Sequence, residues 1–264
     1  MPESLTEDGF RLHFTIAGSG SIPLFFLHGM GGTKEIWAQV WAALDRSRFR
    51  GVFLDLRGHG ESAAASGSFT NDRLAADVLA VADHLGIERF AVVGHSSGGK
   101  VVLCLAAIAP QRVSQLVLIG AVGPGQVVIE REMAGEVFRR SHDQGFIQEA
   151  FRPWFRDWPN VEFDRVLAMF SRTPKWALRA VGEMALWTDI SAQVGSLATP
   201  TLLMAGAADP LYGPSYQEQS VRPCLLNSEM VTLDCGHFHM TERPAEVAGH
   251  LARFLVGTAT PSPC

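Results

Sequence analysis

The sequence has no hydrophobic run long enough to cross a membrane and no cluster of lysine or arginine. Its longest apolar stretches have strand length, well short of the about 20 residues of a membrane-spanning helix. The net charge is only −5, so nothing in it favours a nucleic-acid partner. The first residues, "MPESLTEDG", are polar and acidic, unlike a signal peptide. We therefore expect neither nucleic acid nor membrane as a partner.

Cysteine is scarce and unpaired, and phosphate-binding loops are missing. The four cysteines form no CxxC pair, which is typical of free thiols in a reducing compartment. The sequence also lacks GxGxxG and a lysine-bearing phosphate loop. We predict a cytoplasmic protein that needs no metal and no organic cofactor. The cysteines are Cys104, Cys224, Cys235 and Cys264.

What the sequence does contain is a regular alternation of short apolar runs and amphipathic segments. After a hairpin arm, "DGFRLHFTIAG", six apolar runs are separated by helical patterns. Continuous apolar strands are buried on both faces, as in a parallel sheet between helices. The alternation therefore predicts an α/β fold with a mostly parallel, doubly wound sheet. The six predicted strands are residues 22–29, 51–56, 89–94, 115–120, 200–206 and 229–234.

One region interrupts this alternation. Between about residues 123 and 189 we find no strand pattern, only amphipathic helical ones, and four of the six tryptophans lie there. We interpret residues 124–188 as a helical cap inserted into a core of residues 1–123 and 189–264. The alternative is a set of extra core helices on one face of the sheet. The four tryptophans are Trp154, Trp158, Trp176 and Trp187.

A serine stands where the chain must turn sharply. "VVGHSSGGKV" places Ser96 between a predicted strand and a predicted helix, with Gly94 and Gly98 on either side. The pattern Gly-x-Ser-x-Gly is typical of a strained strand-to-helix turn that exposes a nucleophile. The short pattern also occurs by chance, and a glycine-rich helix start without chemistry would look the same. Its position at a strand end favours the nucleophile.

A serine hydroxyl needs a base, and the base needs an orienting carboxylate. His237 follows the last predicted strand, and Asp209 follows the strand that ends near residue 205. We predict Ser96, Asp209 and His237 as a catalytic triad. His239 and Asp234 are the lower-ranked alternatives for base and acid. "HFH" could also suggest a metal pair, but no third ligand is indicated.

Acyl transfer also needs two amide donors for the oxyanion. Ser97 follows the nucleophile at a helix start, and its amide is one candidate. The glycine-rich loop "HGMGG" after the first parallel strand offers the second, at Met30. Glycine there lets a substrate approach the backbone closely.

These segments together resemble the α/β-hydrolase family. They are "HGMGG", "DLRGHGES", "GHSSGG", "GAADP" and "CGHFHMTERP", in the family's order and near its spacing, from about residue 9 to 256. The resemblance implies a sheet of about eight strands with a helical cap, the triad and oxyanion amides named above, and no cofactor. The chain is similar to small bacterial esterases and enol-lactonases. It departs from the commoner family pattern in having Ser97, rather than methionine or leucine, after the nucleophile.

We therefore predict a serine hydrolase that cleaves a carboxylic ester or lactone of a small apolar or aromatic molecule. A serine nucleophile argues against alkyl-halide and epoxide chemistry, which would need aspartate. Three alternatives stay open: hydrolysis of a carbon–carbon bond in a dienol-ketone, cofactor-free perhydrolase or dioxygenase activity, and a non-catalytic receptor. We expect a monomer or homodimer. The predicted substrate contacts are His28, Gly29, Trp154, Phe155, Trp187 and Phe238.

Overall fold

The fold is built on one eight-stranded sheet. The computed structural model describes residues 2–129, 131–157 and 161–257. Its strands run in the order β1-β2-β4-β3-β5-β6-β7-β8, antiparallel at the two pairings of β2 and parallel at the other five. The predicted fold class is confirmed. The strands are β1 Glu3–Leu5, β2 Arg11–Ala17, β3 Ile22–Leu27, β4 Phe49–Leu54, β5 Phe90–His95, β6 Val113–Ile119, β7 Thr201–Gly206 and β8 Ser228–Leu233.

Helices cover both faces of the sheet. The α-helices are α1 Ala38–Ala43, α2 Asn71–His84, α3 Ser97–Ile108, α4 Arg131–Arg139, α5 Gln144–Phe151, α6 Val161–Arg172, α7 Lys175–Trp187, α8 Ser191–Val194, α9 Pro214–Tyr216, α10 His239–Glu242 and α11 Pro244–Gly257. Short 3₁₀ turns occupy Lys34–Trp37, Gly60–Ser62, Arg152–Trp154 and Arg222–Cys224, and one π turn occupies Gln217–Val221.

The central strands are apolar throughout because both of their faces are buried. Phe25 of β3 packs with α2 and α3 in one core cluster, and the next residue, Phe26, packs with α1 and α11 in the other. Val92 and Val93 of β5 divide in the same way. Successive side chains of a strand point to opposite faces, so a strand between two helical layers carries no polar alternation. That is the physical reason for the continuous apolar runs.

The segment predicted as a cap contains four of the helices. The chain leaves β6, forms α4 to α7, and returns toward β7. We call α4–α7 the cap helices. No strand lies among the described residues between β6 and β7. The division into a core and a separate cap domain stays a prediction, and Trp158 lies outside the described residues.

Two expectations from composition can be compared with the structure. In the described part of the chain, no helix combines the length and apolarity that crossing a bilayer requires. Cys104, Cys224 and Cys235 are buried free thiols, as predicted, and Cys264 lies outside the described residues. Within those residues, no cluster of three or more candidate metal ligands occurs.

Candidate active site

Ser96 occupies the sharp turn between β5 and α3. Its φ of 52° makes it the only non-glycine residue with a positive φ among those described, a conformation that costs free energy and is found chiefly at functional sites. A Cβ atom on Gly94 would lie 2.7 Å from the Gly98 carbonyl oxygen. A Cβ atom on Gly98 would lie 2.5 Å from the carbonyl oxygen of His28. Both glycines are therefore required for the turn to close.

His237 and Asp209 meet at the same edge of the sheet. The loops after β7 and β8 bring His237 Nδ1 within 2.7 Å of Asp209 Oδ2, and both side chains are buried. The other oxygen, Asp209 Oδ1, accepts hydrogen bonds from the amides of Leu211 at 3.1 Å and Tyr212 at 2.9 Å. The carboxylate thus has a fixed orientation toward the imidazole.

The pKa of Asp209 is set by two opposing effects. Burial alone would raise it, but the charge and hydrogen bond of His237, together with the amides of Tyr212 and Leu211, outweigh burial and lower the pKa to about 2. Asp209 is therefore ionised at neutral pH. An ionised carboxylate on Nδ1 leaves Nε2 of His237 to serve as a proton acceptor.

The backbone of His237 is held from three sides. Its amide donates to the carbonyl oxygen of Trp154, in the turn that follows α5, at 2.6 Å. Its carbonyl oxygen accepts from Nε2 of His95 at 3.0 Å and from Nδ1 of His239 at 2.9 Å. His239 therefore fixes the backbone of His237, whereas Asp209 bonds to the ring of His237. Burial is the main cause that lowers the pKa of His239 to about 4.

Asp234, the lower-ranked acid, lies away from this pair. Its side chain is 67 % exposed and pairs with Arg156, also at the surface, at 2.9 Å. A solvated carboxylate paired to a surface arginine has no orienting effect on a buried imidazole. The geometry therefore favours Asp209 over Asp234 as the partner of His237.

Ser96 and His237 line the same cavity. No hydrogen bond joins the Ser96 hydroxyl to the imidazole within the described residues. Hydrogen bonds of this kind are often long in a ligand-free protein and tighten when substrate binds. The structure thus brings the three predicted residues to one place and forms one of their two expected hydrogen bonds.

The loop after β3 lies directly against the serine turn. A Cβ atom on Gly29 would lie 2.8 Å from Cβ of Ser96, so only glycine allows this approach. The amide of Gly31 donates to Nε2 of His59 at 3.1 Å, and the amide of Ser96 donates to the carbonyl of Ile119. The amides of Met30 and Ser97 have no such partner among the described residues. Two unpaired amides beside a serine are the arrangement that binds an oxyanion.

Two buried histidines shape this loop. His28 Nε2 accepts from the amide of Leu56 at 3.0 Å and its Nδ1 donates to the carbonyl of Gly29. His59 Nε2 accepts from Gly31, so both rings must be neutral. Burial, with repulsion from the neighbouring His28, lowers the pKa of His59 to about 3, and burial likewise lowers the pKa of His28.

The cavity above Ser96 is apolar and closed on its far side by the cap helices. The wall at the strand ends includes Gly29, Met30, His95, Ser96, Leu211, Tyr212, His237 and Phe238. The opposite wall includes Ile129, Ala134, Val137, Phe138, Ala150, Phe151, Trp154, Val166, Met169, Phe170 and Leu186. Apart from the two histidines, no acidic or basic side chain lines it in the described part of the chain. Such a lining suits an uncharged substrate.

Half of the predicted substrate contacts line this cavity. Gly29, Trp154 and Phe238 do. His28 does not, because its ring is completely buried in hydrogen bonds to backbone groups. Phe155 lies behind the lining and stacks on Phe238, with ring centroids 4.7 Å apart.

Trp187 does not line the cavity either. It packs on Phe138 and under the guanidinium of Arg131.

Several residues that line the cavity are not indicated by the sequence analysis. One is Tyr212, although its place in the loop after β7, three residues beyond Asp209, could have indicated it. Met169 and Leu186 carried no signal, because a helical pattern shows that a face is apolar without showing what it faces.

A family model described as the alpha/beta hydrolase fold matches residues 22–186. The chain belongs to this family. The match includes the serine turn and the loop after β3, and it ends within the cap helices. The match therefore covers the chain around Ser96 and leaves out the later loops that carry Asp209 and His237.

The α/β-hydrolase relatives have diverse names. The acetyltransferase component of an acetoin cleaving system from Pseudomonas putida is 43 % identical over 133 residues, half of this chain and 36 % of its own length. The chain thus spans about a third of that curated relative. The 3-oxoadipate enol-lactonase 2 of Acinetobacter baylyi is 24 % identical over 92 % of both chains. A thermophilic esterase from Thermogutta terrifontis superposes with a TM-score of 0.86, 25 % identity and coverage of 98 % and 99 %.

Proposed function

We propose that this protein hydrolyses carboxylic esters, or lactones, of small uncharged molecules through Ser96, His237 and Asp209. The observation that carries the proposal is the position of a strained serine and an aspartate-bound histidine on one apolar cavity. The similarity to an enol-lactonase and to an esterase supports the same class of reaction.

The reaction would proceed in two acyl-transfer steps. In the first, Ser96 Oγ attacks the carbonyl carbon while Nε2 of His237 takes the hydroxyl proton. The amides of Met30 and Ser97 would bind the negative charge that develops on the carbonyl oxygen. Collapse of this intermediate expels the alcohol, which receives the proton from His237, and leaves an acyl-enzyme. Water, deprotonated by His237, then releases the acid and restores Ser96.

Asp209 would act on both acyl-transfer steps through His237. Its carboxylate fixes the tautomer with the proton on Nδ1, and it stabilises the imidazolium that forms at each step. The low pKa of Asp209 means that its carboxylate is ionised at neutral pH.

The lining of the cavity supports an uncharged substrate. A carboxylate that binds there would lose its hydration and would find no Lys or Arg partner among the described lining residues. Burying an unpaired charge is costly. A matched pair of substrates tests this point. We expect p-nitrophenyl hexanoate to be turned over at least about 100-fold faster than the p-nitrophenyl monoester of adipate, which has the same chain length and a terminal carboxylate.

The proposal is tested by a panel of p-nitrophenyl esters and lactones with Ser96→Ala as the blank. Wild-type protein should release nitrophenol with a burst, and Ser96→Ala should lose about 10⁴-fold or more of the rate while staying folded. Ser19→Ala, at an exposed serine away from the cavity, is the matched control and should keep full activity. Undiminished turnover by Ser96→Ala would refute the assignment of the nucleophile.

The same panel separates the alternatives. Turnover of a dienol-ketone without turnover of esters would assign carbon–carbon hydrolysis to the site. Product formation that requires peroxide or dioxygen would assign perhydrolase or dioxygenase chemistry. Saturable binding of an ester without any burst would indicate a receptor.

A further inference from the structure

Lys100 is a buried cation that the proposed reaction does not use. It lies in α3, four residues after Ser96, and its side chain is inaccessible to solvent. Its Nζ donates to three carbonyl oxygens, those of Gly125 at 2.9 Å, Ala185 at 3.0 Å and Thr188 at 2.6 Å. An ammonium group has three donors, so every one of them is engaged.

The three carbonyls belong to the two ends of the cap segment. Gly125 lies where the chain leaves the core toward α4, and Ala185 and Thr188 lie at the C-terminus of α7, where it returns. The two ends are also joined to each other, because the Val127 amide donates to Leu186 at 2.7 Å and the Ile190 amide donates to Pro124 at 2.9 Å. Lys100 of α3 therefore binds both of these paired segments, residues 124–127 and 185–190, which we call the stem.

The environment of Lys100 differs from that of the other buried lysine. Lys34 contacts the carboxylates of Asp55 and Glu61. No carboxylate lies within salt-bridge distance of Lys100 in the described chain, and the last carbonyls of α7 take that place. Those carbonyls have no partners within the helix and carry partial negative charge. Burial lowers the pKa of Lys100 to about 8, and the charge of Asp189 offsets only part of this effect.

The stem that Lys100 binds is continuous with the cavity wall. Leu186, between two of the bound carbonyls, lines the cavity, and so does Ile129, four residues after Gly125. At its other end, Lys100 belongs to the helix that begins directly after Ser96. The helix of Lys100 and its three hydrogen bonds thus connect this wall to Ser96, beside the hydrogen bond from Asn71 to Thr188 and the packing of Met184 and Ala185 on the core.

We propose that Lys100 is a positioning residue that holds the cavity wall at Leu186 and Ile129 in place relative to Ser96. An ammonium without a carboxylate is costly to bury, which argues against a role in stability alone. Three carbonyls converging on one side chain specify a single arrangement of the stem. The effect on substrates rests on the proposed ester hydrolysis, whereas the effect on the stem does not.

The first test measures hydrogen exchange at the Val127 and Ile190 amides. In Lys100→Met, both should exchange about tenfold faster or more, because local opening becomes easier, while the amides of β5 and β6 keep their protection. Lys175→Met, at an exposed lysine in α7, is the matched control and should change neither amide. If Lys100→Met does not fold, Lys100→Gln is measured against the same criterion. Unchanged exchange at both amides in a folded variant would overturn the proposal.

The second test uses p-nitrophenyl esters of increasing acyl length. Lys100→Met should raise KM about tenfold for long acyl chains, which reach the displaced wall, and leave kcat for the acetate ester within about threefold. Lys100→Arg keeps a permanent charge and should show a smaller rise in KM than Lys100→Met. An equal rise in KM at every chain length would contradict the assignment. If the wild-type protein turns over no ester, the proposed function fails, and the exchange experiment alone decides the role of Lys100.

Discussion

The wall of the cavity at the strand ends carries the polar groups of the site and is closely hydrogen-bonded, whereas the wall made by the cap helices is apolar and joins the core by hydrophobic packing. At the strand ends, Asp209, His237 and the loop after β3 are each held by several hydrogen bonds to backbone groups. On the cap side, the lining consists of aliphatic and aromatic side chains.

The difference separates two tasks that a hydrolase must perform. Reacting groups must be held to within a fraction of an ångström, and a hydrogen-bonded sheet edge can do this. Substrate selection needs only a shape and a polarity, which packed helices supply. We therefore expect substitutions at the strand ends to reduce the rate for every substrate, and substitutions in the cap helices to change the ranking of substrates.

The largest effect is expected at Asp209. Asp209→Asn keeps the size of the side chain but removes the charge and allows the wrong tautomer of His237. We expect kcat to fall about 10⁴-fold with little change in KM, measured by steady-state hydrolysis of a p-nitrophenyl ester. Asp234→Asn, at the exposed neighbour that pairs with Arg156, is the control and should keep wild-type kcat. A similar loss in both variants would mean that the histidine loop, rather than the carboxylate, was disturbed.

A smaller loss is expected when the loop after β3 is displaced. A Cβ atom on Gly29 would lie 2.8 Å from Cβ of Ser96, so Gly29→Ala must move the loop that carries the Met30 amide. Loss of one oxyanion donor lowers kcat about 10² to 10³-fold, and we expect a decrease of that size. Gly249→Ala, at an open position in α11, should leave kcat unchanged. Full activity in Gly29→Ala would show that the Met30 amide is not an oxyanion donor.

The sequence predicted the strand-end wall better than the cap wall, for a physical reason. The turn at Ser96 and the loops at Asp209 and His237 are local structures, and each needs glycine or a strand end at a fixed offset. Such glycines and strand ends can be recognised in the sequence itself. The family pattern then joins them, although they lie far apart along the chain.

The cap wall depends on how four helices pack, which no local pattern contains. The predicted substrate contacts His28 and Trp187 do not line the cavity, whereas Met169 and Leu186, which no sequence pattern indicates, do. The sequence indicates Lys100 only as part of a predicted helix after the serine. Its three carbonyl partners come from residues 25 to 88 positions further along the chain, so its role becomes visible only in the folded structure.

Acid should act on the strand-end side of the site, where five buried histidines lie in or behind the cavity wall. The ordinary pKa of histidine is 6.5, but the pKa values of His59 and His239 in the folded protein are about 3 and about 4. Below pH 6.5 both side chains therefore stay neutral in the folded protein and take up protons when the protein unfolds. The free energy of unfolding should therefore fall with decreasing pH, by up to about 1.4 kcal/mol per pH unit for each histidine.

Urea unfolding at pH 7 and pH 5 measures this loss. His239→Gln should lose less stability between the two pH values than the wild-type protein, because one proton uptake is removed. His142→Gln, at an exposed histidine after α4, should lose as much as the wild type. An unchanged pH dependence in His239→Gln would show that His239 takes up the same number of protons in the folded and the unfolded protein.

The smallest effect is expected in the cap helices and should depend on the substrate. Ala150 of α5 lines the cavity and is half-buried, so Ala150→Leu extends an apolar side chain into it. We expect kcat/KM for an octanoate ester to fall about tenfold relative to the acetate ester, since a few methylenes of lost space are worth 1–3 kcal/mol or about that factor. Gln148→Leu, on the exposed side of the same helix, is the control and should leave the ratio unchanged. If Ala150→Leu instead reduced hydrolysis of both esters equally, the cap helices would contribute to the chemical step, and the separation between the two walls would not hold.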